Sequence, residues 1–281
     1  MLTYLVEAAE VEFLSRPGGR VAYDVAGAGP LVVLVPGMGD LRAAYRRLAP
    51  ELAGAGYRVA VMDLRGHGDS DAHFPRYGEV ETAGDIAALI EALGESGPAV
   101  VVGSSMAAGA GVVAAVDHAT WVRGLVLLGP FVRDVAGGWI PRLLQQAATA
   151  PWWARATWHA YLPSLYTGQK PDDFEAYRAR AAASLTRPGY AQAFSRTSRT
   201  RHVASAVRLG RVAVPALVVM GELDPDFRDP EAEAHWVVDH LRNTAATLLM
   251  VPEAGHYPHA QRPDIVGPAL VEWLRAVRRD G

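Results

Sequence analysis

The chain has 281 residues, half of them hydrophobic, a formal net charge of −3 and no cysteine. That length suits one α/β core, or a core carrying an insertion. The scattered positive charge speaks against a nucleic-acid partner, and the absence of cysteine excludes a disulfide framework, a thiolate nucleophile and cysteine-ligated metal. The opening residues lack the pattern of a signal peptide and no apolar run is long enough to span a bilayer, so a cytoplasmic protein with no membrane partner is expected.

In chain order, Val11–Leu14 and Arg20–Val25 read as a hairpin around Pro17-Gly18-Gly19. Strands are predicted at Leu31–Val35, Arg58–Asp63, Val100–Gly103 and Val122–Leu128. Leu41, Tyr45, Leu48 and Leu52 keep one apolar helical face, as do Ile86, Leu89, Ile90 and Leu93. From about Phe131 to Leu209 no strand-like run appears. A loop of about eighty residues is implausible in a compact domain, so this stretch is predicted helical, with breaks at Pro141, Pro151, Pro163, Pro171 and Pro188. The sheet resumes at Leu217–Met220, and a further strand precedes Pro252. The last helix runs from Pro263 to Arg278 with Val266, Leu270, Trp273, Leu274 and Val277 on one face. Strands alternating with helices imply a mostly parallel sheet covered on both faces.

The chemistry concentrates where strands end. After the β-branched run 100–102 come Gly103, Ser104, Ser105, Met106 and Ala107. Small-x-Ser-x-small at a strand-to-helix junction is the layout of a nucleophile elbow with Ser105 at its apex. The following helix would offer the Met106 N–H to a developing negative charge. Asp224 lies three residues beyond the strand-breaking Gly221, and His256 lies in the loop after the last strand. Glu222 and Asp226 flank Asp224 as alternative acids. Ser, Asp and His in that order, each after a strand, form a catalytic triad pattern.

These stretches resemble the α/β-hydrolase fold superfamily nearly end to end. Leu31-Val-Val-Leu-Val-Pro-Gly-Met-Gly39 resembles its first strand and oxyanion loop, with Pro36 in place of the usual His. Asp63-Leu-Arg-Gly-His-Gly-Asp-Ser70 and Gly255-His256-Tyr-Pro-His259 resemble two further signature turns, and Ser104 stands where many members carry His. The resemblance implies an eight-stranded, mostly parallel sheet with helices on both faces and a helical cap. It implies a core of residues 1–130 and 210–281 with the cap at 131–209. It also implies Ser105, Asp224 and His256 as the triad, with Met38 and Met106 lending oxyanion N–H groups.

Gly37, Ser104, Phe131 and Tyr257 are expected around the substrate, together with the cap tryptophans Trp139, Trp152, Trp153 and Trp158. Most cap aromatics would only glue helices together, but those facing a cleft favour an apolar or aromatic small molecule. The expected reaction is hydrolysis of an ester, lactone or thioester through an acyl-serine. The same triad on this fold also serves carbon–carbon hydrolysis, lyase, perhydrolase and cofactor-free oxygenase chemistry, and some members act as ligand-sensing receptors. No cofactor and no metal are expected: His235 and His240 share a helix but lack a third ligand, and no nucleotide-binding glycine loop follows the first parallel strand. Asp63 and Arg65 read as a turn-stabilising pair, and His67 and His259 as structural.

Overall fold

The computed structural model describes residues 10–94, 97–134 and 146–279. Its sheet has eight strands, β1 (Glu12–Arg16), β2 (Gly19–Ala26), β3 (Leu31–Val35), β4 (Arg58–Met62), β5 (Ala99–Ser104), β6 (Val122–Leu128), β7 (Ala216–Gly221) and β8 (Ala246–Val251). They lie in the order β1-β2-β4-β3-β5-β6-β7-β8. The first hairpin is antiparallel and β2 pairs antiparallel with β4; all other pairs are parallel.

Strands β3, β5 and β7 are buried along their whole length. Helices cover both sheet faces, which is why these strands are continuous apolar runs rather than alternating ones. One face carries Val33, Val101, Leu127 and Val218 against α2 (Glu79–Ala92), α3 (Met106–Asp117) and α8 (Pro230–His240). The other carries Val32, Val102, Val126 and Val219 against α1 (Leu48–Gly54) and α9 (Pro263–Arg279). Register places Val35 beside Gly103, Ser104 beside Leu128 and Gly221 beside Val251. The loops that follow β3, β5, β7 and β8 therefore emerge at one edge, the carboxyl end where open α/β sheets build their sites.

Two helix expectations need correction. The Leu41–Leu52 pattern is split into a 3₁₀ turn, Arg42–Tyr45, and the short α1. Pro50 has no N–H to return to the carbonyl of Arg46, so one continuous helix cannot form there. Conversely Pro163 does not break its helix: α4 (Ala154–Leu165) runs through it. The carbonyl of His159, which would bond a residue-163 N–H, accepts instead from Arg178 Nε at 2.9 Å.

Between β6 and β7 the described chain is helical: α4, α5 (Phe174–Ser184), α6 (Tyr190–Thr197) and α7 (Val203–Ala206). These helices form a third apolar cluster in which Trp158, Leu162, Tyr166, Tyr177 and Phe194 pack on Leu41, Ala43 and Tyr257 of the core loops. They thus sit over the carboxyl edge of the sheet. None of the described helices is long and apolar enough to cross a membrane.

Candidate active site

Ser105 stands between β5 and α3 with φ +57° and ψ −125°, one of two non-glycine residues at positive φ among those described. Such a backbone costs about 1–3 kcal/mol and persists only where its surroundings enforce it. They do so here: the Ser105 N–H donates to the Leu128 carbonyl at 2.9 Å, and its carbonyl accepts from Ala108 and Phe131 at 3.0 and 3.3 Å. The turn closes tightly enough that a Cβ on Gly103 would lie 2.3 Å from the Ala107 carbonyl oxygen. Met106 opens α3, where first-turn N–H groups have no acceptor within the helix.

Across from it, Gly37–Asp40 forms a turn closed by Asp40 N–H to the Gly37 carbonyl at 3.2 Å. Gly39 takes φ +81° at its third position, as a type II turn requires. The Met38 N–H, at the second position, is left out of that closing bond. Met38, Ser105 and Met106 line one cleft.

His256 presents Nδ1 to Asp224 Oδ2 at 2.8 Å, with both side chains almost fully buried. Asp226 comes only within 3.6 Å of the same nitrogen, and its N–H donates to Asp224 Oδ1 at 3.0 Å. Asp224 is thus the hydrogen-bonded acid and Asp226 its neighbour. The loop holding His256 is anchored by its N–H to the Leu165 carbonyl at 2.8 Å and by Gly255 N–H to Gln261 Oε1 at 2.9 Å. Burial pulls the imidazole toward its neutral form, but the Asp224 carboxylate, helped by Asp226 and Asp40, lifts its pKa to about 9. Asp224, Asp226 and His256 also lie close enough together to hold a metal ion. The Nδ1 of His256, however, is already engaged by Asp224.

The cleft holds about 170 Å³ and is also lined by Phe131, Trp158, Tyr161, Leu165, Thr197, Ser198, Thr200, His202, Asp226, His256 and Tyr257. Phe131, Trp158 and Tyr257, three of the residues expected around a substrate, are thus among those that line the cleft. Four other expectations are corrected. Gly37 packs behind Ser105, its missing Cβ leaving room for that of the serine, and Ser104 is buried beneath the elbow. Trp152 is 77% exposed and Trp153 46%; the two rings pack edge-on against each other, away from the cleft. Trp139 falls outside the described residues.

Asp63 and Arg65 do not pair as expected. Asp63 is buried against Arg42, while Arg65 binds Asp85 through two hydrogen bonds of 2.6 and 2.7 Å. Arg42 also reaches Asp24 and Asp69, tying the segment after the Met38 turn to the next signature turn. His67 and His259 are buried, and burial depresses their pKa to about 4 and about 3, with neighbouring positive charge adding to the effect at His259. Tyr161 belongs to the aromatics of the segment between β6 and β7 without a motif to set it apart from the others, and His202, in the turn that precedes α7, belongs to no motif.

The alpha/beta hydrolase fold model matches residues 30–263. The chain belongs to the α/β hydrolase fold family. It is 27% identical over 259 residues to "Probable esterase D14L" of Oryza sativa subsp. japonica, spanning 89% of this chain and 92% of that protein. Among solved structures, carboxylesterase CesB from Bacillus subtilis superposes with a TM-score of 0.80 at 16% identity, covering 97% of this chain and 94% of that one. The enol-lactonase from Burkholderia xenovorans LB400 does so at 0.75 and 22%, covering 94% and 100%.

Proposed function

We propose that this protein is a serine hydrolase that cleaves an ester, lactone or thioester of a small, largely apolar molecule through an acyl-serine. The observation that carries the reading is the buried Asp224–His256 hydrogen bond opening onto the same cleft as Ser105 on its strained turn. Kinship with a probable esterase supports the same class, and a carboxylesterase and an enol-lactonase share the fold. Helices within 131–209 serve as the cap.

Ser105 Oγ attacks the acyl carbon while His256 Nε2 removes its proton, since an unassisted serine hydroxyl is a poor nucleophile at neutral pH. Asp224 fixes the imidazole tautomer and stabilises the imidazolium. The N–H groups of Met38 and Met106 bind the oxyanion, each being worth about 3–4 kcal/mol in the transition state. The intermediate collapses as His256 returns the proton to the departing oxygen or sulfur. Water then repeats the sequence on the acyl-enzyme and releases the acid. A cleft near 170 Å³ is comparable to cavities of about 150 Å³ that accept benzene, so one small ring or short chain fills it.

The test is labelling with a fluorophosphonate probe and mapping of the adduct by peptide mass spectrometry. Rapid modification of Ser105, lost in His256→Ala, is expected. Ser105→Ala should lose turnover by on the order of 10⁶-fold while keeping its circular dichroism. An unmodified Ser105 in folded wild-type protein would remove the acyl-serine reading and leave a ligand-sensing role in its place.

A further inference from the structure

Besides the Asp224–His256 pair, the cleft meets a second buried carboxylate–histidine pair among the described residues. Glu79 opens α2 and is 2% exposed. Both of its oxygens are used: Oε1 accepts from His202 Nδ1 at 2.6 Å and Ser205 Oγ at 3.0 Å, and Oε2 accepts from the Ser205 N–H at 3.1 Å. A buried carboxylate is expensive unless it is fully partnered, and the core is shaped to admit this one. A Cβ on Gly109, in the helix behind Ser105, would stand 2.1 Å from Glu79 Oε1. Gly109 therefore clears the space that Glu79 occupies.

What the carboxylate holds is His202, which lines the cleft. A carboxylate only accepts, so Nδ1 carries the hydrogen of that bond. The His202 backbone is pinned too, its N–H donating to Asp134 Oδ1 at 3.0 Å. The ring stacks on Phe131 at 5.5 Å and 26°, and Phe131 in turn meets the His256 ring edge-on at 5.7 Å. With Nδ1 committed to Glu79, Nε2 is the ring atom left for a ligand. The hydroxyls of Thr197 and Thr200 donate to backbone carbonyls, and Tyr161 donates to Asp226. Among these cleft groups, His202 is the one whose polar edge is oriented by a buried partner without being consumed by it.

We propose that His202 is a specificity-determining residue whose Nε2 binds a carboxylate on the acyl portion of the substrate, remote from the scissile bond, with Glu79 as its positioning residue. The acid brings one proton with it, so that in the complex the ring donates from both nitrogens, Nδ1–H to Glu79 and Nε2–H to the ligand oxygen. Asp226, also on the cleft, is a second carboxylate and disfavours the same group at its own end, so the pair sets the direction in which an asymmetric acid enters. The proposal rests on the serine hydrolase reading for its bond cleavage but not for its binding.

The test exploits amide isosteres of the two ring nitrogens. Asn at position 202 keeps a donor for Glu79 but lacks the reach of Nε2, whereas Gln keeps the reach. Wild-type protein should prefer the para-nitrophenyl hemiester of glutaric acid over the chain-matched para-nitrophenyl alkanoate. His202→Asn should lower that kcat/KM ratio by roughly 10- to 100-fold, the range of a charge-assisted hydrogen bond. His202→Gln should retain part of it. Calorimetry of glutarate and of the matched alkanoate on Ser105→Ala and Ser105→Ala/His202→Asn reads the same preference without turnover. A glutarate preference that His202→Asn abolishes supports the subsite even where the fluorophosphonate fails to label Ser105. Labelling of Ser105 with no glutarate preference, or a preference unchanged in His202→Asn, overturns the subsite and leaves the hydrolase reading standing; His202 would then only latch its helix to the core.

Discussion

The strand-end loops and the helices between β6 and β7 form two halves of one cleft, and they are held by different means. On the sheet side, main-chain hydrogen bonds dominate the placement, with the Asp224 and Gln261 side chains adding to them at His256. The elbow hangs on three main-chain hydrogen bonds of Ser105, and the Met38 turn is closed by another. The His256 loop follows the same rule, with its anchor on the Leu165 carbonyl. On the helical side, placement comes from side chains packing: Trp158 against Phe194 and over Gly39, and Tyr166 stacked on Tyr257. Backbone-placed groups tolerate little change in sequence or position, as bond-making chemistry demands. Packed side chains can be exchanged for others of similar volume. On the serine hydrolase reading proposed above, the half assigned the chemistry is the constrained one, and the half assigned substrate selection is free to vary.

The largest break in this comparison should come from the acid. Asp224→Asn keeps size and burial but reverses the hydrogen-bond demand on His256 Nδ1, and should lower kcat/KM by about 10³- to 10⁴-fold. Asp226→Asn, at 3.6 Å from the same nitrogen, should cost less than about tenfold. Steady-state hydrolysis of para-nitrophenyl esters by the two variants decides between them; equal losses would mean that the two carboxylates share the role. The pH profile adds a sign. The base must be unprotonated, so activity should climb with pH toward about 9. Without the Asp224 charge that lifts this pKa, the midpoint in Asp224→Asn should fall.

That half was also the legible one. Gly103, Ser105, Asp224 and His256 could be placed from sequence because an elbow permits only small flanks and because each loop follows a short apolar run that reads as a strand, fully buried in β5 and β7 and partly buried in β8. The sheet was readable for the same reason, with Leu31–Val35 and Val122–Leu128 matching to the residue. The helical half was not. Trp152 and Trp158 are six residues apart and chemically identical, yet one is 77% exposed and the other 3%. Which side of a short helix faces the cleft depends on how that helix docks, and α5, with Ala and Arg on all sides, carries little periodic signal. His202 was illegible because its meaning comes from Glu79, more than a hundred residues earlier.

Those two tryptophans sharpen the comparison at an intermediate scale. Trp158→Ala removes a buried ring that lines the cleft and covers the Met38 turn. It should destabilise the protein by about 3–5 kcal/mol and change the preferred acyl length. Trp152→Ala should stay within about 0.5 kcal/mol. Urea midpoints measure the first effect and an acyl-chain series of para-nitrophenyl esters the second. If the two variants were equally stable, the helical half would not be held by packing of its inner faces.

The smallest expected effect lies where the halves meet. Asp40 closes the Met38 turn, is fully buried, and accepts from Tyr177 of α5 at 2.7 Å. Burial drives its pKa up, and the hydroxyls of Tyr177 and Tyr257 and the charge of His256 offset only part of this, leaving it at about 7. The unfolded carboxyl releases its proton near pH 4 and the folded one near 7, so between those values the native state binds more protons and stability falls as pH rises. Thermal unfolding followed at pH 5 and pH 8 should show this as a Tm lower at pH 8. For a chain of this size, each kcal/mol corresponds to about 2–4 °C. Asp40→Asn, which cannot ionise, should flatten that slope, and activity should change little beside the Asp224 variants because Asp40 touches neither Ser105 Oγ nor Nδ1 of His256. An undiminished slope would show that the pH sensitivity arises elsewhere, with His256 the next candidate: its raised pKa contributes stability below about 6.5 that is lost as pH climbs through about 9.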